Sequence, residues 1–146
     1  MTRTVLVLNG PNLGRLGTRE PEVYGTGSYR ELVAACEAVA AESDLTADVR
    51  QTDDEATMLG WLHEAAAAAN AVVINPGAWS HYSYAVRDAV AEVAAVAEVI
   101  EVHLSQTAAR EEFRHTSVVS PVARATITGL GVEGYRAALR ALATRA

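Results

Sequence analysis

Short apolar runs alternate with helical patterns along the chain, and this alternation limits the possible folds more than any other feature. The clearest runs are Val5–Leu8, Ala71–Ile74 and Val99–Val102. Thr46–Gln51, with alternating polarity, predicts a second strand at a sheet edge, and Ala125–Ile127 predicts a short fifth strand. Strands separated by helices of this length predict βαβ units and a parallel sheet that is covered on both faces.

Four helices are predicted from apolar residues at helical spacing. Two of them begin at capping boxes, Ser28–Glu31 and Thr52–Glu55. A third is predicted over about 83–96, and Val132–Ala143 closes the chain. Right-handed crossovers leave few topologies, so we predict a flavodoxin-like, three-layer α/β/α fold with a five-stranded parallel sheet. The 146 residues, half of them hydrophobic, are predicted to form a single domain over 1–146.

Charge and cysteine content restrict the possible partners. The formal net charge of −6 argues against binding to nucleic acid or to an anionic membrane, although a local cationic pocket for a small anion stays open. No apolar run reaches membrane-spanning length, and the N-terminus lacks the pattern of a signal peptide. The single cysteine, Cys36, has no disulfide partner and falls within an apolar helical pattern. We therefore expect a cytoplasmic protein.

Chemically capable side chains follow three of the predicted strands. They are Asn12, Arg19 and Tyr24 after the first strand, Asn75 and His81 after the third, and Glu101, His103 and Ser105 at the fourth. Because the carboxyl ends of parallel strands meet at one sheet edge, all three groups can face the same pocket. The loop after the first strand is too long and too rich in specific side chains to act only as a connection.

Glu101 and His103 are two residues apart on a strand, so they point to one face with Cα atoms about 7 Å apart. The carboxylate can then orient the imidazole through one nitrogen and leave the other nitrogen free as a general acid. Arg110 and Arg114, four residues apart, would share one face of a helical turn, and one could reach an anionic ligand.

Ordinary structural roles stay open for each of these residues at this point. The Glu101–His103 pair could be structural, His81 could merely start a helix, and Tyr24 could pack in its loop. The two arginines could be solvated charges, and Asp53 with Asp54 could cap a helix. The histidines lack metal-ligand spacing, so no metal site is predicted, and Gly10–Gly17 is not a phosphate-binding loop.

Seven motifs together resemble type II 3-dehydroquinate dehydratase, in that family's order and spacing and over nearly the whole chain. They are Leu8-Asn9-Gly10-Pro11-Asn12-Leu13, Gly17-x-Arg19-Glu20-Pro21-x-x-Tyr24-Gly25, Asn75-Pro76-Gly77-Ala78-x-x-His81-x-Ser83, Arg87-Asp88-Ala89, Glu101-Val102-His103-Leu104-Ser105, Arg110-Glu111-x-Phe113-Arg114 and Gly129-x-Gly131-x-x-Gly134-Tyr135. The resemblance implies loss of water from 3-dehydroquinate to give 3-dehydroshikimate, a step of the shikimate pathway, without metal or organic cofactor.

The resemblance also implies a role for each catalytic residue. Tyr24 would be the base that removes a proton beside the ketone, and Arg19 would hold Tyr24 as tyrosinate. Asn12 would stabilise the enolate through an ordered water. His103, oriented by Glu101, would protonate the departing hydroxyl.

Substrate binding and assembly are implied in the same way. The residues that would bind the substrate hydroxyls and carboxylate are Asn75, His81, Leu104, Ser105 and Arg114. Arg110 would supply positive charge, either in a lid that closes over the site or behind the residues that bind the substrate. Asp88 would reach the site of a neighbouring subunit, since family members form trimers that are arranged into dodecamers.

Some positions depart from the commonest family pattern, and an alternative function stays open. Gly14-Arg15, Thr52-Asp53, Gln106 and Ala125 differ from the usual residues, but none of them is a proposed base, acid or arginine. The alternative is a non-catalytic, oligomeric binding protein for quinate-like acids on the same fold. An acid–base pair argues against it, because binding alone does not require one.

Overall fold

A five-stranded, all-parallel sheet forms the centre of the computed structural model. The structure describes residues 2–18, 20–24 and 27–144, and of Tyr24 it describes only the backbone. The strands are β1 (Arg3–Asn9), β2 (Leu45–Gln51), β3 (Ala71–Asn75), β4 (Val99–His103) and β5 (Ala125–Thr128). Their spatial order is β2-β1-β3-β4-β5, the flavodoxin-like order. The predicted fold and the edge position of β2 are therefore confirmed.

Helices cover both faces of this sheet. They are α1 (Pro21–Tyr24), α2 (Tyr29–Glu42), α3 (Glu55–Ala68), α4 (Tyr84–Ala94) and α5 (Val132–Ala143). Leu32 and Cys36 of α2 pack with Tyr135 and Leu139 of α5 in one core cluster. A second cluster joins α3 and α4 to the other face of the sheet. Adjacent residues of one strand, such as those of β1, alternate between the two clusters, which gives the predicted three layers.

Two predicted helix starts had different outcomes. The hydroxyl of Ser28 accepts a hydrogen bond from the Glu31 amide at 3.1 Å, which confirms Ser28 as the N-cap of α2. The predicted cap at Thr52 is wrong, because the amide of Thr52 still donates to the carbonyl of Asn9 and thereby continues the ladder between β2 and β1. Asp54 caps α3 instead and accepts from the Thr57 amide at 3.2 Å.

Cys36 lies fully within the core. Burial raises the pKa of its thiol to about 12, so the thiol stays protonated at neutral pH. This position suits a packing role rather than a nucleophile. Among residues 2–18, 20–24 and 27–144, no helix is long and apolar enough to cross a membrane.

Candidate active site

One cleft lies at the carboxyl edge of the sheet, beside the ends of β1, β3 and β4. It holds about 520 Å³ of empty space, part of which is open to solvent. The predicted site residues that line it are Asn12, Asn75, His81, His103, Leu104, Ser105, Arg110 and Arg114. Residues that are distant in the sequence thus meet because the strands are parallel and end at the same edge.

Glu101 and His103 form the predicted hydrogen bond. Nε2 of His103 lies 2.5 Å from Oε2 of Glu101, and the Glu101 side chain is fully buried. Since Nε2 faces the carboxylate, Nδ1 is the nitrogen of His103 that is left to hydrogen-bond to a molecule in the cleft. The carboxylate therefore determines both the tautomer and the orientation of the ring.

Two serines that the sequence analysis did not identify complete the environment of Glu101. Ser117 Oγ donates to Glu101 Oε2 at 2.9 Å, and Ser120 Oγ donates to Oε1 at 2.8 Å. Burial raises the pKa of the Glu101 carboxyl, but the hydrogen bond and charge of His103, with the Ser120 and Ser117 hydroxyls, lower that pKa by more. Glu101 is therefore ionised at neutral pH.

His81 stacks beside His103, with ring centroids 6.3 Å apart and ring planes 19° apart. Its Nδ1 lies 2.9 Å from the carbonyl oxygen of Thr116, so Nδ1 carries the proton. Burial lowers the pKa of His81, and the charges of His103 and Arg114 lower it further, against the raising effect of the Thr116 carbonyl. At neutral pH His81 is thus an uncharged ring whose Nε2 can accept a hydrogen bond.

Asn75 is held by a buried tyrosine to which the sequence analysis assigned no function. Its Nδ2 donates to the Tyr135 hydroxyl at 2.9 Å, and that hydroxyl donates to Asn9 Oδ1 at 2.6 Å. Its Oδ1 accepts from the Gly77 amide at 3.1 Å. Burial raises the pKa of Tyr135, so the phenol stays protonated and this chain of hydrogen bonds keeps one direction. The amide of Asn75 is therefore fixed at the cleft wall.

The loop after β1 is held against two neighbouring segments. Gly10 donates to the Asn75 carbonyl at 2.8 Å, and a Cβ at this position would lie 2.8 Å from the carbonyl oxygen of Pro76. Asn12 has a left-handed backbone with φ 71°, and Asp53 Oδ1 accepts from its amide at 2.8 Å. The alternative that Asp53 caps a helix is therefore wrong, because its carboxylate holds the backbone of Asn12 instead.

Arg110 and Arg114 both line the cleft and place positive charge there. Nη1 of Arg110 donates to the Ser105 hydroxyl at 3.2 Å, and Nε of Arg114 donates to Glu111 at 3.0 Å. The predicted single helical turn over 110–114 is only partly right, since a short 3₁₀ turn covers Glu112–His115 and leaves Arg110 before it. Both arginines therefore reach the cleft because of the path of the chain, and not because they share one helix face.

Four of the predicted residues are not among those that line this cleft, and one of them is Glu101, which is fully buried beside His103. Arg19 and the side chain of Tyr24 lie outside the described residues, and Tyr24 is described only as the last residue of α1. Asp88 lies on α4, where its largely exposed side chain pairs with Arg87 at 3.1 Å. Its predicted contact with a neighbouring subunit stays a prediction. Within the described parts of the chain, no group of three or more His, Cys, Asp or Glu side chains could hold a metal ion.

Comparisons with known proteins agree over almost the entire chain. The family model described as "Dehydroquinase class II" matches residues 3–143. A 3-dehydroquinate dehydratase from Salinispora tropica is 62% identical over 142 residues, covering 97% of this chain and 98% of the relative. One from Mycobacterium tuberculosis is 56% identical over 139 residues, covering 95% and 93%, respectively.

Solved structures give the same result for the fold. The crystal structure of a type II dehydroquinase from Propionibacterium acnes superposes with a TM-score of 0.95 at 55% sequence identity, covering 99% of this chain and 98% of that one. The sequence and structure comparisons thus agree over nearly the whole chain. The chain therefore belongs to the class II dehydroquinases, the hydro-lyases that are also called type II 3-dehydroquinate dehydratases.

Proposed function

We propose that this chain catalyses the anti elimination of water from 3-dehydroquinate to give 3-dehydroshikimate, the third step of the shikimate pathway, through an enolate. The observation that carries the proposal is the pair formed by His103 and the ionised, buried Glu101, which opens onto a cleft lined by two arginines. An elimination of water needs a proton donor for the leaving hydroxyl, and binding of a substrate that carries a carboxylate is favoured by positive charge in the cleft. This cleft combines both.

The cleft residues divide the recognition of the substrate among them. Arg114 binds the substrate carboxylate, and Arg110, hydrogen-bonded to Ser105, adds positive charge at the cleft wall. The hydroxyl groups of the substrate bond to His81, Asn75 and the Leu104–Ser105 segment. The fixed amide of Asn75 and the uncharged ring of His81 support this assignment, because each presents a defined donor or acceptor.

The first chemical step breaks a carbon–hydrogen bond beside the ketone. In the proposal, the tyrosinate of Tyr24 takes the proton, and the electron pair moves to the ketone oxygen to form an enolate. Keeping an ordinary tyrosine ionised at pH 7 costs about 4 kcal/mol, which the guanidinium of Arg19 is proposed to offset. Asn12, held by Asp53, stabilises the enolate oxygen, with an ordered water between them.

The second step expels the hydroxyl group. The electron pair of the enolate re-forms the ketone and creates the carbon–carbon double bond while the carbon–oxygen bond breaks. The imidazolium of His103 donates its proton from Nδ1 to the departing hydroxyl, which leaves as water. Glu101 accepts the hydrogen bond from Nε2 and thereby orients the ring so that Nδ1 is the nitrogen available to the departing hydroxyl.

The decisive test of this function is the appearance of an enone. The purified protein is expected to raise the ultraviolet absorbance of the conjugated product when 3-dehydroquinate is added, and the Glu101→Gln variant is expected to do so much more slowly. If the wild-type protein produces no enone but still binds 3-dehydroquinate or quinate in calorimetry, the dehydratase proposal is wrong and the binding-protein alternative is favoured.

Assembly forms a separate part of the proposal. We propose that the protein is cytoplasmic and forms a dodecamer built from trimers, in which Asp88 of one subunit reaches the cleft of its neighbour. The exposed position of Asp88 on α4 supports this, since the side chain does not line the cleft of its own chain. Light scattering at micromolar concentration should give twelve times the 15.4 kDa of one chain, whereas a monomer would contradict the assembly.

A further inference from the structure

We propose that Ser117 and Ser120 are positioning residues that keep Glu101 ionised throughout the reaction, so that the proton delivered by His103 is never passed through Glu101. This inference rests on the proposed function, and it assigns a task to two side chains that do not line the cleft. It predicts that His103 is reloaded with a proton from the cleft side only. The argument depends on which hydroxyl groups are able to donate.

The hydroxyl of Ser117 can act only as a hydrogen-bond donor toward the Glu101 carboxylate. Its Oγ accepts hydrogen bonds from the amides of Val119 at 3.2 Å and Ser120 at 3.1 Å. Because these two bonds occupy both lone pairs of the oxygen, its hydroxyl proton is left to donate. That proton points between the two oxygens of Glu101, which lie at 3.0 and 2.9 Å. Ser117 therefore offers the carboxyl group a donor and has no remaining lone pair to accept from it.

Ser120 provides a second donor to the other side of the carboxylate. Its Oγ lies 2.8 Å from Glu101 Oε1 and 2.7 Å from Thr126 Oγ1. When Ser120 donates to Glu101, its oxygen can accept from Thr126, which lies opposite Glu101 in the register of β5 on β4. The hydroxyls of Ser117 and Ser120 and Nε2 of His103 then all direct protons toward one carboxylate, while Thr126 donates to Ser120.

This arrangement favours one location for the proton shared with His103. With donors on both oxygens, Glu101 is a weak base, so the proton between Glu101 and His103 stays on Nε2. A second cavity is lined by Glu101, His103 and the two serines, and the other titratable or charged groups in its lining are His81, Arg114 and His115. None of these three is acidic. In this lining no second carboxylate therefore raises the pKa of Glu101.

A merely structural role for the serines makes a different prediction. Ser117 also holds the turn that leads to Ser120, and an alanine there could loosen that turn without any effect on proton transfer. Loosening alone would reduce activity at all pH values alike. Loss of a carboxylate donor instead raises the pKa of Glu101, so that the ionised form is lost at a higher pH.

The kinetic experiment compares kcat/KM against pH for the wild type, Ser117→Ala and Ser120→Ala. Because the proposed Tyr24 base also contributes to the acid limb, the expected change is in its steepness: the limb should steepen where Glu101 is protonated as well, and this steepening should occur at a higher pH in each alanine variant. Ser120→Thr, which keeps the hydroxyl, should restore the wild-type profile. Ser43→Ala is the matched control. Ser43 lies between the end of α2 and the start of β2, at the amino ends of the strands and away from the cleft, so its profile should not move.

A second measurement needs no substrate and therefore separates this inference from the proposed function. Carbon-13 NMR of labelled glutamate carboxyls, with Glu101 assigned through Glu101→Gln, follows its titration in the free protein. We expect the wild-type midpoint below 4.5, the ordinary glutamate value, and a higher midpoint in both alanine variants. A wild-type midpoint above 4.5, or midpoints unmoved in folded alanine variants, would overturn the inference. Shifted midpoints without any enone formation would instead refute the dehydratase function alone.

Discussion

Replacing His103 with alanine should lower kcat by roughly 10²- to 10⁴-fold, the usual contribution of a general acid. The hydroxyl group would then have to leave without a proton, although the cleft that binds the substrate would keep its arginines and Asn75. We therefore expect KM to change much less than kcat. Steady-state kinetics followed through the enone absorbance provides the measurement.

The matched control for this variant is His63→Ala. His63 lies on the exposed surface of α3, away from the cleft, so its loss should leave both kinetic constants unchanged. A His103→Ala enzyme with wild-type kcat would show that the acid is another group. Equal losses in both histidine variants would point to instability rather than to chemistry, which melting curves of both proteins would reveal.

Replacing Tyr24 with phenylalanine should also reduce kcat by about 10²- to 10⁴-fold or more, because it removes the proposed base but keeps the aromatic ring. Substrate affinity, measured by calorimetry on the slow variant, should stay close to that of the wild type. Tyr84→Phe is the control, since Tyr84 is 69% exposed at the start of α4. Turnover by Tyr24→Phe at the wild-type rate would rule out Tyr24 as the base.

The two variants should differ in a way that tests the order of the steps. In D₂O, the His103→Ala enzyme is expected to exchange the substrate proton beside the ketone for deuterium, because Tyr24 can still form the enolate. Tyr24→Phe should exchange none. Mass spectrometry of the recovered substrate measures this difference. Absence of exchange in both variants would argue against an enolate formed before the hydroxyl group leaves.

Regular elements were predictable because their signals are local. The strand period of two places Glu101 and His103 on one face, and the structure contains the hydrogen bond that this spacing predicts. Ser28 was recognised as a helix cap for a similar reason, since a capping box lies within four residues. The same local rule failed at Thr52, where pairing of the backbone with Asn9 extends the strand past the expected cap.

Contacts between segments that are distant in the sequence could not be predicted in this way. Asp53 was expected to cap a helix, yet it holds the Asn12 amide across 41 positions of sequence. Tyr135 orients Asn75 from the last helix, and Ser117 and Ser120 reach Glu101 from a stretch of loop and 3₁₀ turn. No periodicity marks such residues, because their partners depend on how the loops cross the sheet edge.

The sequence by itself determined the parallel α/β architecture, the edge at which the chemistry gathers and, through its motifs, the family. These follow from hydrophobic periodicity and from residue types at set spacings, which are properties of short segments. Only the tertiary structure decided which nitrogen of His103 faces the cleft, that Glu101 is surrounded by hydroxyl donors, and that His81 is uncharged. Those properties depend on burial and on hydrogen bonds between distant segments, which exist only once the chain has folded.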